Sequence, residues 1–276
     1  MTTGPGLSII IVSFNTRSDL ERCLESLTAS PPAIAHEIIV VDNASHDGST
    51  DVVRRRWRAI RLLELPRNVG FAAANNAGIQ VTSGELVLLL NSDTIVRPGA
   101  IDGLIARLRA HPDAAVAGPR LLDGMGRVEL SVGPMIAPMA ELRQKALLHL
   151  HQRGVAPATR IVERITGREH FVDWVSGAAQ LVYRRDAEAV GLLDERYFLY
   201  TEDVDFCAAI RARGRRILYT PAATITHLRG RSRATVPTRM NDAYRRSQIA
   251  FYEKHHPIWA PVLRAYLRMK GQLPRA

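Results

Sequence analysis

The sequence predicts an α/β domain whose core is a mostly parallel sheet flanked by helices, and three observations carry that expectation. Short β-branched apolar runs alternate with amphipathic stretches through the first hundred residues. The runs are almost continuously apolar, as in strands covered on both faces. Polar residues follow each run directly, at the carboxyl ends where open parallel sheets bind ligands.

Taken in order, Leu7–Val12, Glu37–Val41, Ile60–Leu65 and Leu86–Leu90 read as strands, with Leu20–Leu27, Asp51–Arg58 and Ala72–Val81 as the helices between them. Right-handed crossovers then lay the strands parallel. Pro98–Arg109 continues as a helix and Ala114–Gly118 as a strand closed by Pro119. Residues 120–170 carry scattered glycines and prolines, and Met139–Gln152 alone shows leucines at helical spacing. Phe171–Val175 and Leu181–Arg185 open a new ordered block leading to a helix that begins near Tyr200 and ends at Arg213. Ile217–Tyr219 and Ala223–Thr226 read as short strands, and Arg239–Lys254 and Trp259–Lys270 as basic amphipathic helices.

Of the 276 residues, 46% are hydrophobic and 23% charged, ordinary globular values that exclude fibrous and disordered classes. The longest apolar runs fall far short of the roughly 18–20 residues of a membrane-spanning helix. Met1–Gly6 carries neither a basic stretch nor an apolar core, so the expectation is a cytoplasmic protein. Cys23 and Cys207 lack metal-type spacing and read as buried thiols in a reducing compartment. The net charge of +10 is wholly C-terminal: residues 205–276 hold 15 Lys+Arg against 3 Asp+Glu, whereas residues 1–204 hold 22 against 24. A nucleic-acid-binding protein should carry a recognisable reading motif, and none is present. An anionic substrate or anionic membrane surface suits the charge better, with a solvated basic face or a homodimer contact as alternatives.

Four strand ends carry the candidate chemistry: Ser13-Phe14-Asn15, Asp42-Asn43, Arg67-Asn68-Val69-Gly70 and Asn91-Ser92-Asp93. Asp42 at the end of a second parallel strand suits a ribose hydroxyl or base N–H, or else caps the loop Ser45–Ser49. The turn after strand one has no glycine, which removes the G-x-G-x-x-G dinucleotide fold, and a Walker A loop is also absent. A nucleotidyltransferase would need a basic pyrophosphate loop there, and Arg17 stands alone. Asp93 puts a carboxylate at the mouth of the most apolar strand. Mg²⁺ or Mn²⁺ commonly bridges one or two such carboxylates to substrate phosphates, though N-x-D also marks a plain turn. Glu202, Asp203 and Asp205 form the densest acidic cluster, beside Tyr197-Phe198-Leu199-Tyr200. Acids at a helix start favour the macrodipole, but a carboxylate among aromatics also moves toward general-base territory. His227 fits a metal ligand, a base or a packed core histidine.

These motifs run in order: Ser13-x-Asn15, Val41-Asp42-Asn43-x-Ser45-x-Asp47-Gly48-Ser49, Asn68-x-Gly70-Phe71 with Asn76-x-Gly78, Asn91-x-Asp93, Trp174-x-Ser176-Gly177-Ala178, Glu202-Asp203-x-Asp205 and His227. Over about residues 7–232 the chain thereby resembles glycosyltransferase family 2. Asn91-x-Asp93, Tyr197-Phe198 and Glu202-Asp203-x-Asp205 look most like its rhamnosyltransferase branch, whose members build bacterial cell-surface polysaccharides. The resemblance implies a GT-A fold with a Rossmann-like sheet. A nucleotide-binding half would span about residues 7–118, an acceptor half about 119–232 and a basic helical extension 233–276. It implies inverting transfer of a sugar, best matched by L-rhamnose from dTDP-L-rhamnose with a UDP-sugar as alternative, onto a saccharide or polyprenyl-diphosphate-linked acceptor at the inner face of the membrane. Ser13, Asn15, Asp42 and Asn43 would hold the nucleoside, and Arg67, Asn68, Gly70 and Asn76 would line the donor pocket with Asn91 and Ser92. Asp93 and His227 would coordinate Mg²⁺ or Mn²⁺. Asp203 would be the general base, with Glu202 and Asp205 ranked below it. Trp174, Ser176, Gly177 and Ala178 would shape the acceptor site, and Arg229 and Arg231 would close on the diphosphate. Asn91 departs from the D-x-D metal motif by replacing its first acid.

Overall fold

The computed structural model describes residues 4–228 and 237–274. Strands β1 (Leu7–Ser13), β2 (His36–Asp42), β3 (Arg61–Glu64) and β4 (Leu86–Asn91) lie parallel in the order β3-β2-β1-β4, joined by α1 (Arg17–Ala29), α2 (Ser49–Arg56) and α3 (Phe71–Gln80). The apolar runs are continuous because alternate residues serve two cores. Leu7, Ile9 and Ile11 pack with Leu20, Leu24 and Leu27 of α1, whereas Ile10 and Val12 pack with Ala72, Ala74 and Ile79 of α3. Every strand and helix expected up to Leu90 forms.

After β5 (Thr94–Val96) and α4 (Ala100–Ala110) the sheet becomes mixed. β11 (Ala179–Tyr183) inserts antiparallel between β4 and β6 (Ala114–Leu122), and β6 runs parallel to β12 (Arg216–His227), which pairs with β5 at the edge. The intervening chain supplies β7 (Val128–Glu129), β8 (Val132–Gly133), α5 (Pro138–Gln152), α6 (Ala156–Thr166), β9 (His170–Val172) and β10 (Trp174–Val175). α7 (Arg184–Ala189) and α8 (Glu202–Ala212) precede β12, and α9 (Pro237–His255) and α10 (Ala260–Met269) follow it.

Three local differences from the sequence expectation have physical reasons. The helix α6 has a proline in its first turn and buries Ala158, Val162 and Thr166 at four-residue spacing, a pattern short enough to hide among glycines and prolines. Phe171–Val175 divides at Asp173, whose carboxylate accepts the Met135 N–H at 2.7 Å and pairs with Arg211, so that β9 joins β12 and β10 joins β8. The two short strands expected near residue 220 are one strand, continuous through a register shift between Thr220 and Thr224 that accommodates Pro221, which has no N–H for the ladder.

Cys23 and Cys207 are buried and unpaired with each other, and burial pushes both thiols up to about 12. A third, smaller core forms where Phe251, Tyr252 and Ala260 meet Tyr197 and Val204, so the C-terminal helices rest on α8. The expected division near residue 232 lies outside the described residues. No helix among the described residues is long and apolar enough to cross a membrane.

Candidate active site at the carboxyl edge of the sheet

Strand register brings the first group of candidates together. Ser13 pairs with Asp42 across β1 and β2, and Val12 pairs with Asn91 across β1 and β4, so three polar strand ends stand side by side. The Ser13, Thr16 and Ser92 hydroxyls form a chain at 3.0 and 2.9 Å. Asp42 is buried, and its Oδ2 accepts the Ser45 N–H at 2.9 Å while Oδ1 has no partner. The loop-capping reading of Asp42 therefore holds for Oδ2, and Oδ1 is left open to an incoming donor. A buried acceptor left unpaired is costly unless a water or a ligand N–H or O–H reaches it.

The asparagines at this edge are engaged with the backbone. Asn15 sits at φ +53°, where its Oδ1 accepts the His46 N–H at 2.8 Å and its own N–H donates to Ser45 Oγ at 3.0 Å. Asn43 Nδ2 donates to Asn68 Oδ1 at 2.9 Å and to the Gly70 carbonyl at 3.2 Å, and Asn43 Oδ1 accepts the Val69 N–H at 2.9 Å. Asn76 accepts the Leu193 N–H and donates to the Leu193 carbonyl at 2.8 Å and to Glu195, belting α3 to the segment before α8. These side chains build the loops around the edge. Gly70 has φ +91°, and a Cβ there would stand 2.6 Å from the Phe198 carbonyl oxygen, which accepts the Phe71 N–H. Arg67 is exposed beside this loop.

Asp93 and His227 are brought together by the pairing of β5 with β12, which sets His227 opposite Thr94. His227 Nε2 lies 3.2 Å from Asp93 Oδ1, and its Nδ1 lies 3.2 Å from Glu129 Oε2. Burial alone would lower the imidazole pKa, but hydrogen bonds and charge from the two carboxylates outweigh it and raise the pKa to about 9. Glu129 was not among the sequence candidates. Its partner is 98 residues away, and only the packing of β7 on β6 beside β12 exposes the relation. Donor atoms bound side by side to Mg²⁺ or Mn²⁺ at about 2.1 Å stand roughly 3 Å apart, so the Asp93–His227 spacing fits a divalent cation. Among the described residues no group of three or more His, Cys, Asp or Glu side chains is arranged to hold a metal by itself. The Asn91 Oδ1, at the end of β4 two residues before Asp93, is buried without a partner.

The three acids at the start of α8 have three different environments. Asp205 is buried and holds the C-terminal helices: Tyr197 Oη is at 3.1 Å, Lys254 Nζ at 2.8 Å and His255 Nε2 at 2.6 Å. Glu202 is buried with Oε2 unpaired, and burial together with the Asp203 charge holds its carboxyl well above the usual range. Asp203 is the more accessible, with Oδ2 accepting the Gly177 N–H at 2.7 Å. A Cβ on Gly177 would stand 3.1 Å from Asp203 Cβ. The next residue, Ala178, accepts the Asn91 N–H through its carbonyl at 3.0 Å, which links the acid on α8 to the end of β4. Tyr200 and Thr201, just before α8, both hold positive φ, at +69° and +66°. The Trp174 indole donates to the Pro134 carbonyl at 2.8 Å, fixing its ring beside the loop of Ser176 and Gly177. Arg229 and Arg231 lie outside the described residues.

A parallel β3-β2-β1-β4 unit, extended by an antiparallel strand and carrying an aspartate–histidine pair at its carboxyl edge, is the architecture of a GT-A glycosyltransferase. Residues 8–164 match the model of glycosyl transferase family 2, and the chain belongs to that family. It is 29% identical over 293 residues to an N-acetylglucosaminyl-diphospho-decaprenol L-rhamnosyltransferase of Mycobacterium tuberculosis, covering 98% of this chain and 95% of that protein. It is also 29% identical over 230 residues to an O-antigen biosynthesis protein of Myxococcus xanthus, covering 81% of this chain but 17% of that one. Among solved structures it resembles a mannosyltransferase of Pyrobaculum calidifontis in complex with GDP-Man and Mn²⁺, with a TM-score of 0.62 at 19% identity over 96% of this chain and 70% of that chain. GalNAc-T7 with UDP, GalNAc and Mn²⁺ gives a TM-score of 0.60 at 17% identity, over 82% of this chain and 43% of that chain.

Proposed function

We propose that the protein transfers L-rhamnose, with inversion, from dTDP-L-rhamnose onto a hydroxyl of an N-acetylglucosamine carried on a polyprenyl diphosphate. The observation that carries the site assignment is the buried, unpaired Asp42 Oδ1 standing on the same sheet edge as the Asp93–His227 pair. Asp42 accepts from the nucleoside, and Asp93 and His227 hold Mg²⁺ or Mn²⁺. When bound, the cation neutralises charge developing on the departing diphosphate.

Asp203 takes the proton from the acceptor hydroxyl as that oxygen attacks the anomeric carbon on the face opposite the diphosphate. Hydrogen bonds from the Gly177 N–H to Oδ2 and from the Val204 N–H to Oδ1 fix the orientation of the carboxylate. Glu202 is buried, and burial with the Asp203 charge holds its carboxyl well above the usual range, which ranks it below the more accessible Asp203. A single displacement needs one base and an oriented pair of reactants, and no second, nucleophilic carboxylate. The Trp174 ring, partly exposed, offers an aromatic face to the acceptor sugar. The donor and acceptor are supported by the mycobacterial relative, which matches nearly the full length of both chains. The basic C-terminal helices are read as facing the anionic inner leaflet where such acceptors reside.

The test is incubation with dTDP-L-rhamnose and a synthetic N-acetylglucosaminyl-diphospho-polyprenol, with product mass and anomeric configuration determined. Expected is a single deoxyhexose added with inversion. Turnover with a UDP- or GDP-sugar and none with dTDP-L-rhamnose would replace the donor, and absence of transfer from all three would overturn the proposal.

A further inference from the structure

We infer that α10, with the turn before it, is an interfacial helix that lies on an anionic lipid surface by the face it turns away from the protein. The helix has two apolar faces. Ala260, Leu263 and Leu267 pack onto the protein, Ala260 and Leu263 against the small core containing Tyr197 and Val204. On the opposite side Ile258 is 86% exposed, Val262 55% and Met269 80%, with Trp259 and Tyr266 each about half exposed. At 100° per residue Val262, Tyr266 and Met269 project within one narrow arc of the helix, and Ile258 and Trp259 lie in the turn that leads into it. Scattered exposed apolar residues are ordinary, but a contiguous stripe on one short helix marks an interaction surface.

Charge complementarity selects the occupant. Exposed Arg268 and Lys270 flank the stripe on its two sides, within a C-terminal segment holding 15 basic residues against 3 acidic. Trp and Tyr beside aliphatic residues, with cations at the borders, form the pattern of a helix lying in the headgroup layer. Placement supports this choice. The core that seats α10 also receives Val204 of α8, next to Asp203, and Trp174, so the stripe belongs to the acceptor side of the candidate site. Met139 and Leu142 of α5, which Glu141 ties to Gln248 and Tyr252 of α9, add exposed apolar side chains shortly after Ile136, which packs on that same core.

The inference deepens the reading of a lipid-linked acceptor, yet its test needs no sugar. The full chain is sedimented with sucrose-loaded vesicles of phosphatidylglycerol or of phosphatidylcholine at low and moderate salt. Wild type is expected to bind the anionic vesicles at least about tenfold better, with added salt weakening the preference. Loss of each cation is expected to cost about fivefold, so Arg268→Glu with Lys270→Glu should lose well over tenfold. Ile258→Asp with Val262→Asp should abolish binding, and Trp259→Phe should remove the blue shift of emission that vesicles induce. Unchanged melting temperature and unchanged stabilisation by nucleotide diphosphate show that the variants are folded. Equal binding by wild type and both double variants would overturn the inference. So would a wild-type dimer that Val262→Asp dissociates, with no vesicle binding, which would assign the stripe to a second copy. Failure of rhamnosyl transfer with vesicle binding intact would count against the proposed reaction alone.

Discussion

At the ends of β1 and β2 the asparagine side chains are spent on loop N–H groups and Asp42 keeps one buried oxygen unpaired, whereas at the start of α8 each of three neighbouring acids has a different environment. Asn15, Asn43 and Asn68 each satisfy a loop N–H, which stiffens the edge before any ligand arrives. Around α8, Tyr200 and Thr201 hold left-handed backbone, Glu202 is buried with an unpaired oxygen, and Asp203 accepts the Gly177 N–H through Oδ2 and the Val204 N–H through Oδ1. Strained backbone persists only where the surroundings enforce it, and here α9 packs on the segment: the Ser247 hydroxyl donates to the Leu199 carbonyl at 2.7 Å and Tyr244 meets the Tyr200 ring edge-on. On the proposed reading the difference teaches that the donor side is stiffened by its asparagines, while the acceptor side carries its proposed base at a helix start on which the C-terminal helices pack.

The comparison is broken most sharply at Asp203. Asp203→Asn should lower turnover by about 10²–10⁴-fold while nucleotide diphosphate still stabilises the protein, and a variant that turns over normally removes Asp203 as the base. Next in size is Glu129→Gln, which leaves both proposed cation ligands, Asp93 and His227, in place. Calorimetry should show Mn²⁺-dependent nucleotide-diphosphate binding weakened by about 10–100-fold, with Asp93→Ala abolishing it; full affinity in Glu129→Gln would make Glu129 a bystander. Asn76→Ala strips a buried N–H and carbonyl of their partners and should cost about 1–3 kcal/mol, or roughly 2–4 °C of melting temperature per kcal/mol. Turnover per folded molecule should survive, and a large fall in turnover without a stability change would place Asn76 among the donor contacts after all.

The smallest effect concerns Glu202. Its folded carboxyl holds a proton at pH values where the unfolded chain has released it, so the folded state binds more protons. The resulting stability is full below the ordinary carboxylate pKa and is lost as pH rises above it. Glu202→Gln should flatten that decline and raise the melting temperature at pH 8 by about 2–4 °C relative to wild type, with little change at pH 4. Parallel curves for the two proteins would show that Glu202 ionises freely.

The parallel half of the fold was legible because its strands are buried on both faces and therefore spell uninterrupted apolar runs from Leu7 to Leu90. The positions of Asp42, Asp93 and Asp203 at element ends were legible for the same reason, since each follows an apolar or aromatic run. What stayed hidden depends on partners distant in sequence. Glu129 gains its meaning from His227, Asn76 from Leu193, and Asp205 from Lys254 and His255. No local periodicity encodes such pairs. The exposed stripe on α10 was invisible for a related reason: both of its faces are apolar, and only packing tells which one the protein covers.

The amino-acid sequence alone determined the alternation of strands and helices, the cluster of polar groups at the sheet's carboxyl ends and the basic character of the C-terminus, because hydrophobic period and charge are written residue by residue. Tertiary structure decided which of those polar groups are spent on the backbone and which retain a free oxygen. That division rests on hydrogen bonds between residues up to about a hundred positions apart, and such bonds exist only once strand register and helix packing have set the distances.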